Sequence, residues 1–528
     1  MMTAVTSKSP GVAASAISGI RWSYFGGIGS SLCSLAIGIV LARILGPKPY
    51  GQVIIASTIY GFLNLFVDGG FSQALIQKRN LDPQEVRKTF TCQVGMGFMT
   101  TGIVCFLAPW ITRLFHDPSA TRVIQTMSLV IAIQSAGLVS AALLRRKMHF
   151  KVIQCAGIAS YLVGYVALGI PLALLGAGVW SLVTACLVQC LLNSAFLYAA
   201  VRHSVAPSFG LPDRFTSRFG GTVVANNLVN WGHSNLDNLA AAQLGPIGLG
   251  LYGRACNFAY QPANAVVTGL QSVLISSVAK LQDRKRLIGD LTLCILAIIF
   301  GVLGSVYAVL ALTPETIILG LFGDKWIGVV PLLLPLAMAM PFYAAHCVLG
   351  PILCGLGRPE LEFWPQAISC SVAALAFFAA ARFSLVALAW ALLGVMLFRF
   401  GMIAIFAFRL LQLTWGKVLR VVVMRVGFSV AFGGLAWSLD ETLRVPFHFA
   451  AAPRLIALLV FCAVSLGSSI WCAGDLVFGS DAIRFLLNYA SHLPAPYVRQ
   501  LRMQAHQCGK TTMACLEIGH IDPTGVTV

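Results

Sequence analysis

Charge is the scarce ingredient of this chain. Asp, Glu, Lys and Arg make up 10% of its 528 residues, and only 18 are acidic. A soluble fold of that length needs far more charge to cover its surface. Long hydrophilic inserts are also missing. A membrane-embedded polymerase, ligase or transferase usually needs such an insert to carry its acid, base or metal ligands, and no Asp-x-Asp metal motif occurs. The net charge of +18 belongs to no basic soluble domain, so a nucleic-acid partner is not expected. Most of the fifteen Cys lie within or beside apolar stretches, where Cys acts as a small hydrophobe, and no disulfide or redox framework is implied. Gly509-Lys510-Thr511 has the ending of a phosphate-binding loop, but Gln504 stands where the first Gly belongs. His506, Cys508, Cys515 and His520 fit no familiar zinc spacing. Neither a metal nor a cofactor is expected.

What the chain has is apolar length. A helix needs about 20 apolar residues to cross the hydrocarbon core. Candidate spans fall at Arg21–Ala42, Gln52–Leu75, Thr91–Ile111, Val123–Leu144, Val152–Leu175, Val179–Val201, Phe219–Gln243, Tyr252–Val278, Leu287–Leu312, Val329–Cys354, Ile368–Ala381, Leu385–Phe408, Val421–Leu439 and Leu455–Phe478. The eleventh is short and has an alternative start near Phe363. The eighth contains Pro262, a site for a tilt or kink. The fold class is therefore an all-α polytopic membrane protein with about 14 transmembrane helices. The run behind Met1–Pro10 is too long for a cleavable signal and reads as a retained first span.

Basic residues set the orientation. Lys78, Arg79, Arg87 and Lys88 fill the second gap, Arg145, Arg146, Lys147 and Lys151 the fourth. Arg202, Arg214 and Arg218 fill the sixth, Lys280, Arg284, Lys285 and Arg286 the eighth, and Arg409, Lys417 and Arg420 the twelfth. The fifth gap has none, the ninth only Lys325 and the eleventh only Arg382. Even gaps and both termini are expected on the cytoplasmic side.

Two echoes suggest a duplication. Leu45-Gly46-Pro47 with Tyr50-Gly51 matches Leu244-Gly245-Pro246 with Tyr252-Gly253, and LRRKMHF (144–150) echoes LGRPELEF (356–363). Chance likeness between Gly-rich loops is the alternative. A duplication gives two pseudo-symmetric six-helix lobes plus two extra helices: 1–210, 211–412 and 413–479, with a tail at 480–528. Repeats of this kind often hold substrate at their interface. The tail is read as interfacial or disordered.

An ionisable residue inside a span costs about 2.5–3.5 kcal/mol, so it needs a partner or an aqueous cavity. The seventh span carries Asn226, Asn227, Asn230, His233, Ser234 and Asp237 at three- and four-residue spacings. The eighth continues with Arg254, Asn257, Gln261 and Asn264, the second has Ser57, Asn64 and Asp68, and the first opens with Arg21. These stripes suggest a cavity among spans one, two, seven and eight, with interhelical hydrogen bonding as the competing reading. Asp68 and Asp237 have three readings: structural partners of Arg21 or Arg254, groups that sense a driving ion, or solvated residues at an interface. His233, Arg399 and Arg425 read as packing, paired or snorkelling groups.

Residues 41–79, LARILGPKPYGQVIIASTIYGFLNLFVDGGFSQALIQKR, and 234–262, SNLDNLAAAQLGPIGLGLYGRACNFAYQP, resemble the openings of the two lobes of Wzx-type polysaccharide transporters. The likeness covers about residues 15–480 and lies with the exopolysaccharide, colanic-acid and lipopolysaccharide subgroup of the multidrug/oligosaccharidyl-lipid/polysaccharide superfamily. It implies a non-enzymatic flippase in the bacterial inner membrane. Its implied substrate is undecaprenyl-diphosphate-linked oligosaccharide, and its implied partners are membrane lipid, a polysaccharide polymerase and export machinery. On that basis Arg21 and Arg254 are candidates for the diphosphate, because guanidinium groups bind phosphate bidentately. Asn227, Asn230, Asn257 and Gln261 are candidates for sugar hydroxyls, and Asp68 and Asp237 for ion coupling. A cation-coupled drug exporter of the same superfamily is the rival; its site should be more apolar and acidic.

Overall fold

A computed structural model describes residues 27–472 except 28, 32, 79–80, 116, 209, 211–213 and 446–448. Arg21 and the tail 480–528 lie outside the described residues, as does the side chain of Asn226. The described chain is helical, with no strand among the described residues. Its helices are α1 (Gly29–Leu45), α2 (Pro47–Asp68), α3 (Phe71–Gln77), α4 (Pro83–Leu114), α5 (Thr121–Arg146), α6 (Phe150–Leu174) and α7 (Val179–Val201). Then come α8 (Arg214–Ala242), α9 (Gly245–Lys280), α10 (Lys285–Leu312), α11 (Pro314–Leu321), α12 (Val330–Gly355), α13 (Glu360–Ala381), α14 (Leu385–Leu410), α15 (Trp415–Arg444) and α16 (Ala451–Cys472).

Wherever their residues are described, the fourteen expected spans fall on helices, and among the described residues ten helices are long and apolar enough to cross a membrane. In hydrocarbon a helix satisfies its own backbone groups, which is why the apolar runs take this form. The helices α8 and α9, 29 and 36 residues long, are not among the ten; they carry the polar stripes. Several details differ from expectation. The eleventh span starts at Glu360, the third at Pro83, and α9 runs through Pro262 without a break. Asp82 caps α4 by accepting from the Gln84 amide at 3.0 Å, which fixes the earlier start. Two short helices, α3 and α11, were not expected.

The chain divides into two compact units, residues 1–276 with 314–404, and residues 277–313 with 405–528. In the first, the repeated Leu-Gly-Pro motifs meet. Gly46 and Gly245, with φ of 79° and 83°, turn the chain into α2 and α9. One turn on, a methyl group at Gly51 would strike the Pro246 carbonyl oxygen, and one at Gly250 the Pro47 carbonyl oxygen. Only glycine at both positions lets the two helix starts cross backbone to backbone. The α11 region fastens the same end. Lys325 Nζ and Trp326 Nε1 donate to Ile44 O and Ala42 O at 2.8 and 2.9 Å, capping the last turn of α1. In return, Arg43 donates to Gly320 O at 3.1 Å.

In the second unit, α10 packs on α15 through small residues. Gly433 faces Ala308 and Gly304 faces Ser429, a small-xxx-small face on each helix. A π turn at Ile299–Leu303 frees backbone carbonyls, and Ser429 Oγ donates to Phe300 O at 2.8 Å. Arg454 Nη1 lies 3.5 Å from Asp440 Oδ1.

Candidate functional site

The site builds outward from Arg254, in the third turn of α9. The Gly51–Gly250 crossing draws this turn against α1 and α2. The guanidinium carbon lies 5.4 Å from the Tyr50 ring centre and 4.8 Å from that of Phe322. Tyr50 and Phe322 belong to a larger ring cluster, with Trp326 edge-on to Tyr50 at 5.6 Å and Phe258 edge-on to Phe322 at 5.6 Å. The absence of a side chain at Gly38 makes room: a Cβ there would sit 3.0 Å from Arg254 Nη2. The Tyr50 hydroxyl donates to Gly38 O at 3.3 Å.

The rings stabilise the face of the cation but accept no in-plane N–H. Nε and Nη2 of Arg254 are buried and find no acceptor among the described residues. A buried donor left unmet costs about 1–3 kcal/mol. Chemically, the arrangement is a fixed, desolvated guanidinium with open donors, suited to an oxyanion.

The other expected residues divide into two sets. Asn257 is exposed and one turn further along α9, its Nδ2 donating to Gly253 O at 3.1 Å. Gln261 and Asn227 are half-buried. Asn230 is tied to α13: its Oδ1 accepts from Gln366 Nε2 at 2.5 Å. Asn264 Oδ1 accepts from the Tyr343 hydroxyl of α12 at 2.9 Å. His233 Nε2 lies 2.8 Å from Gln366 O and therefore carries the proton. The polar stripe of α8 and α9 is thus shared with α12 and α13, which the expectation of a cavity among spans one, two, seven and eight left out. A stripe read from spacing says which face is polar, not which neighbour it meets.

The two aspartates are held by neutral donors. Asp68 Oδ1 accepts from Ser72 Oγ at 2.5 Å and Gln93 Nε2 at 3.3 Å. Asp237, 4% exposed, accepts from the Asn238 amide at 2.8 Å and the Tyr252 hydroxyl at 3.4 Å. Neither pairs with Arg254, and neither forms an ion pair among the described residues. Sequence reasoning missed Tyr50 and Phe322 as neighbours of Arg254; the recurrence of Tyr50 in the repeated motif was the one available signal.

Three comparisons bear on this geometry. The family model described as "polysaccharide biosynthesis protein" matches residues 40–331. The succinoglycan biosynthesis transport protein ExoT of Rhizobium meliloti (strain 1021) is 28% identical over 352 residues, 65% of this chain and 70% of that protein. The lipopolysaccharide biosynthesis protein WzxC of Escherichia coli (strain K12) is 23% identical over 367 residues, 66% of this chain and 71% of that protein. Among solved structures, the lipid II flippase MurJ in an inward closed conformation superposes with a TM-score of 0.68 at 11% identity, covering 85% of this chain and 98% of that one.

Proposed function

Because this chain belongs to the polysaccharide biosynthesis protein family and shares the fold of the lipid II flippase, we propose that it is a lipid-linked oligosaccharide flippase. It is a multi-pass membrane protein that carries undecaprenyl-diphosphate-linked oligosaccharide across the bacterial inner membrane for exopolysaccharide or lipopolysaccharide synthesis. The names of ExoT and WzxC support transport in polysaccharide synthesis. The observation that carries the reading is Arg254, a buried guanidinium between two rings with unmet donors. It receives a phosphate of the carrier, with Arg21 as the second candidate, while Asn227, Asn230, Asn257 and Gln261 face sugar hydroxyls. Asp68 and Asp237 are the coupling candidates.

With the basic gaps inside and both termini cytoplasmic, the end closed by Gly51, Gly250, Lys325 and Trp326 is the outer one. The two lobes, residues 1–210 and 211–412, move against each other to open that end, and a polymerase receives the product outside. A strain lacking the chain should accumulate lipid-linked oligosaccharide on the cytoplasmic face of the membrane, and the chain restored on a plasmid should clear it. An unchanged amount and sidedness of that lipid in the deletion strain would refute the assignment.

A further inference from the structure

The unit formed by residues 277–313 and 405–528 carries a basic surface that the flippase reading does not use. Arg284, Lys285 and Arg286 open α10, Arg409 stands at the end of α14, and Lys417 and Arg420 lie in the first two turns of α15; all are exposed. None of them forms an ion pair among the described residues, and neither do Asp283 and Asp290, the exposed acidic residues beside them. The packing of α10 on α15 gathers these cations at one end. Gly304 faces Ser429 and Ala308 faces Gly433, each pair 125 residues apart in sequence, and Gly289 faces Leu413 and Leu411 O at nearly the same separation. Equal offsets mean that the two helices run parallel and in step, so their first turns and the turn after Arg409 lie at one level.

The rest of α15 sets the depth of that level. Leu419, Val423, Val426 and Val430 are exposed at helical spacing on a helix long and apolar enough to span a membrane. Such a stripe faces hydrocarbon. Trp415, 51% exposed and edge-on to Phe408 at 5.1 Å, stands one turn before Leu419. Tryptophan at the end of an apolar stripe marks the membrane–water interface. Lys417 and Arg420 flank the same turn, and Arg420 is about 4.5 Å along the axis from Val423 at 1.5 Å per residue. Long basic side chains at this depth lay their stems on apolar surface and carry their charge to the headgroups. A lipid phosphate meets them at their own level, whereas a soluble acidic protein reaches only their outer edge.

We propose that Arg284, Lys285, Arg286, Arg409, Lys417 and Arg420, gathered around Trp415 where α10 and α15 begin, form a docking surface for the phosphates of anionic phospholipids. The surface is independent of the transported molecule. It predicts selection between membrane lipids that share their acyl chains and differ in headgroup charge, and it predicts that selection at this end of this unit rather than wherever basic residues are exposed.

The test uses the purified full chain in nanodiscs containing phosphatidylglycerol and phosphatidylcholine, one or the other brominated on its acyl chains. Quenching of Trp415, taken as the difference from a Trp415→Phe variant, gives the relative occupancy of the two lipids beside it. Phosphatidylglycerol should be favoured about tenfold or more, given the attraction of each Lys or Arg at an anionic surface. Lys417→Gln with Arg420→Gln should lower the ratio several-fold, as should Arg284→Gln with Arg286→Gln, and the four together should bring it to about one. Lys417→Arg with Arg420→Lys should keep the ratio, which separates lost charge from lost fold. Raising the salt to about 0.5 M should also lower it, because exposed charges are screened. Arg145→Gln with Lys147→Gln, an equal loss of exposed charge on the other unit, should leave it unchanged. A ratio near one in the unaltered protein overturns the surface, as does one that survives the fourfold variant. A fall as large in the Arg145 and Lys147 variant overturns it too, since net charge alone would then be the cause. Loss of the preference in about 10 mM inorganic phosphate, or in an equal charge of soluble polyglutamate, would make the surface a free-phosphate or protein site and overturn the lipid assignment.

Discussion

Two arginines, one half-buried and one buried, one in each compact unit, meet their charge in different ways. Arg454 lies against Asp440 at 3.5 Å, both side chains less than a tenth exposed. Arg254 lies between Tyr50 and Phe322, with no carboxylate in reach among the described residues. A charge inside a membrane protein persists only when it is paired or when it faces water or ligand. The first charge has a carboxylate beside it, although Nε and Nη1 of Arg454 make no hydrogen bond among the described residues. The second is open. The difference separates an arginine paired to a carboxylate on another helix from the one proposed to receive substrate.

The strongest way to break this comparison is to unpair the first site. Removing one partner of a buried pair leaves the other charge uncompensated, at a cost of about 3–5 kcal/mol. Asp440→Ala should therefore lower the abundance of inserted protein and its melting temperature sharply. The double variant Asp440→Leu with Arg454→Met should recover most of the loss, since apolar groups of similar size replace such pairs well. Normal abundance for Asp440→Ala would show that the pair is not the fastening it looks to be.

The open site should respond in the other direction. Arg254→Ala removes a guanidinium whose donors are unmet, so abundance should fall little. Substrate binding should weaken roughly ten- to a hundredfold, from the loss of a charge-assisted bond of about 1.5–3 kcal/mol. Arg254→Lys keeps the charge without the planar fork and should retain partial activity. Export per inserted molecule is the quantity to measure. Normal per-molecule export by Arg254→Ala would move Arg254 into the class of Arg454.

How much of this is legible in the sequence follows the same division. The long helices are legible because hydrocarbon leaves an apolar chain one way to satisfy its backbone. The helices α3 and α11, seven and eight residues long, give no comparable signal; they are held by tertiary contacts such as Arg146 donating to Leu75 O at 2.9 Å. Arg254 is legible as a charge in an apolar run, but its rings are not, because Phe322 arrives from a distant segment. The tie from Asn230 to Gln366 is illegible for another reason: a polar face toward water and one toward a polar helix have the same spacing. The Leu-Gly-Pro echo is legible in the sequence, but it matched Gly51 to Gly253, and only the crossing shows that Gly250 is the counterpart of Gly51.

That crossing offers a third, smaller test. Gly250 is one turn before Arg254, so the contact that closes the helix ends also sets the arginine against Tyr50. A methyl group forced into a tight contact costs about 1–3 kcal/mol. Gly51→Ala and Gly250→Ala should each weaken the closed end, and the double variant should cost less than the sum, because both relieve one contact. A Cys introduced at Lys48 should become more reactive toward an impermeant thiol reagent. Unchanged reactivity in both variants would mean that the crossing does not hold the end shut.

The smallest effect on stability is expected at the aspartates. Asp68 accepts from Ser72 and Gln93, both neutral. An Asn carbonyl oxygen can accept from the same two groups, and exchanging charged for neutral acceptors changes the balance by about 1 kcal/mol. Asp237 is similar, since the Asn238 amide still finds an oxygen and the Tyr252 hydroxyl can turn to accept from an amide. Asp→Asn at either position should leave abundance near normal. Transport should fall further than abundance at one of them if its charge senses the driving ion, because the substitution keeps the hydrogen bonds and removes only the titration. That outcome would set the acidic residues of this unit beside Arg254, as charges left unpaired for a purpose. Full export by both single variants and by the double variant would remove Asp68 and Asp237 from the mechanism, leaving Arg254, held between two rings with no ion pair among the described residues, as the contrast with the Arg454–Asp440 pair.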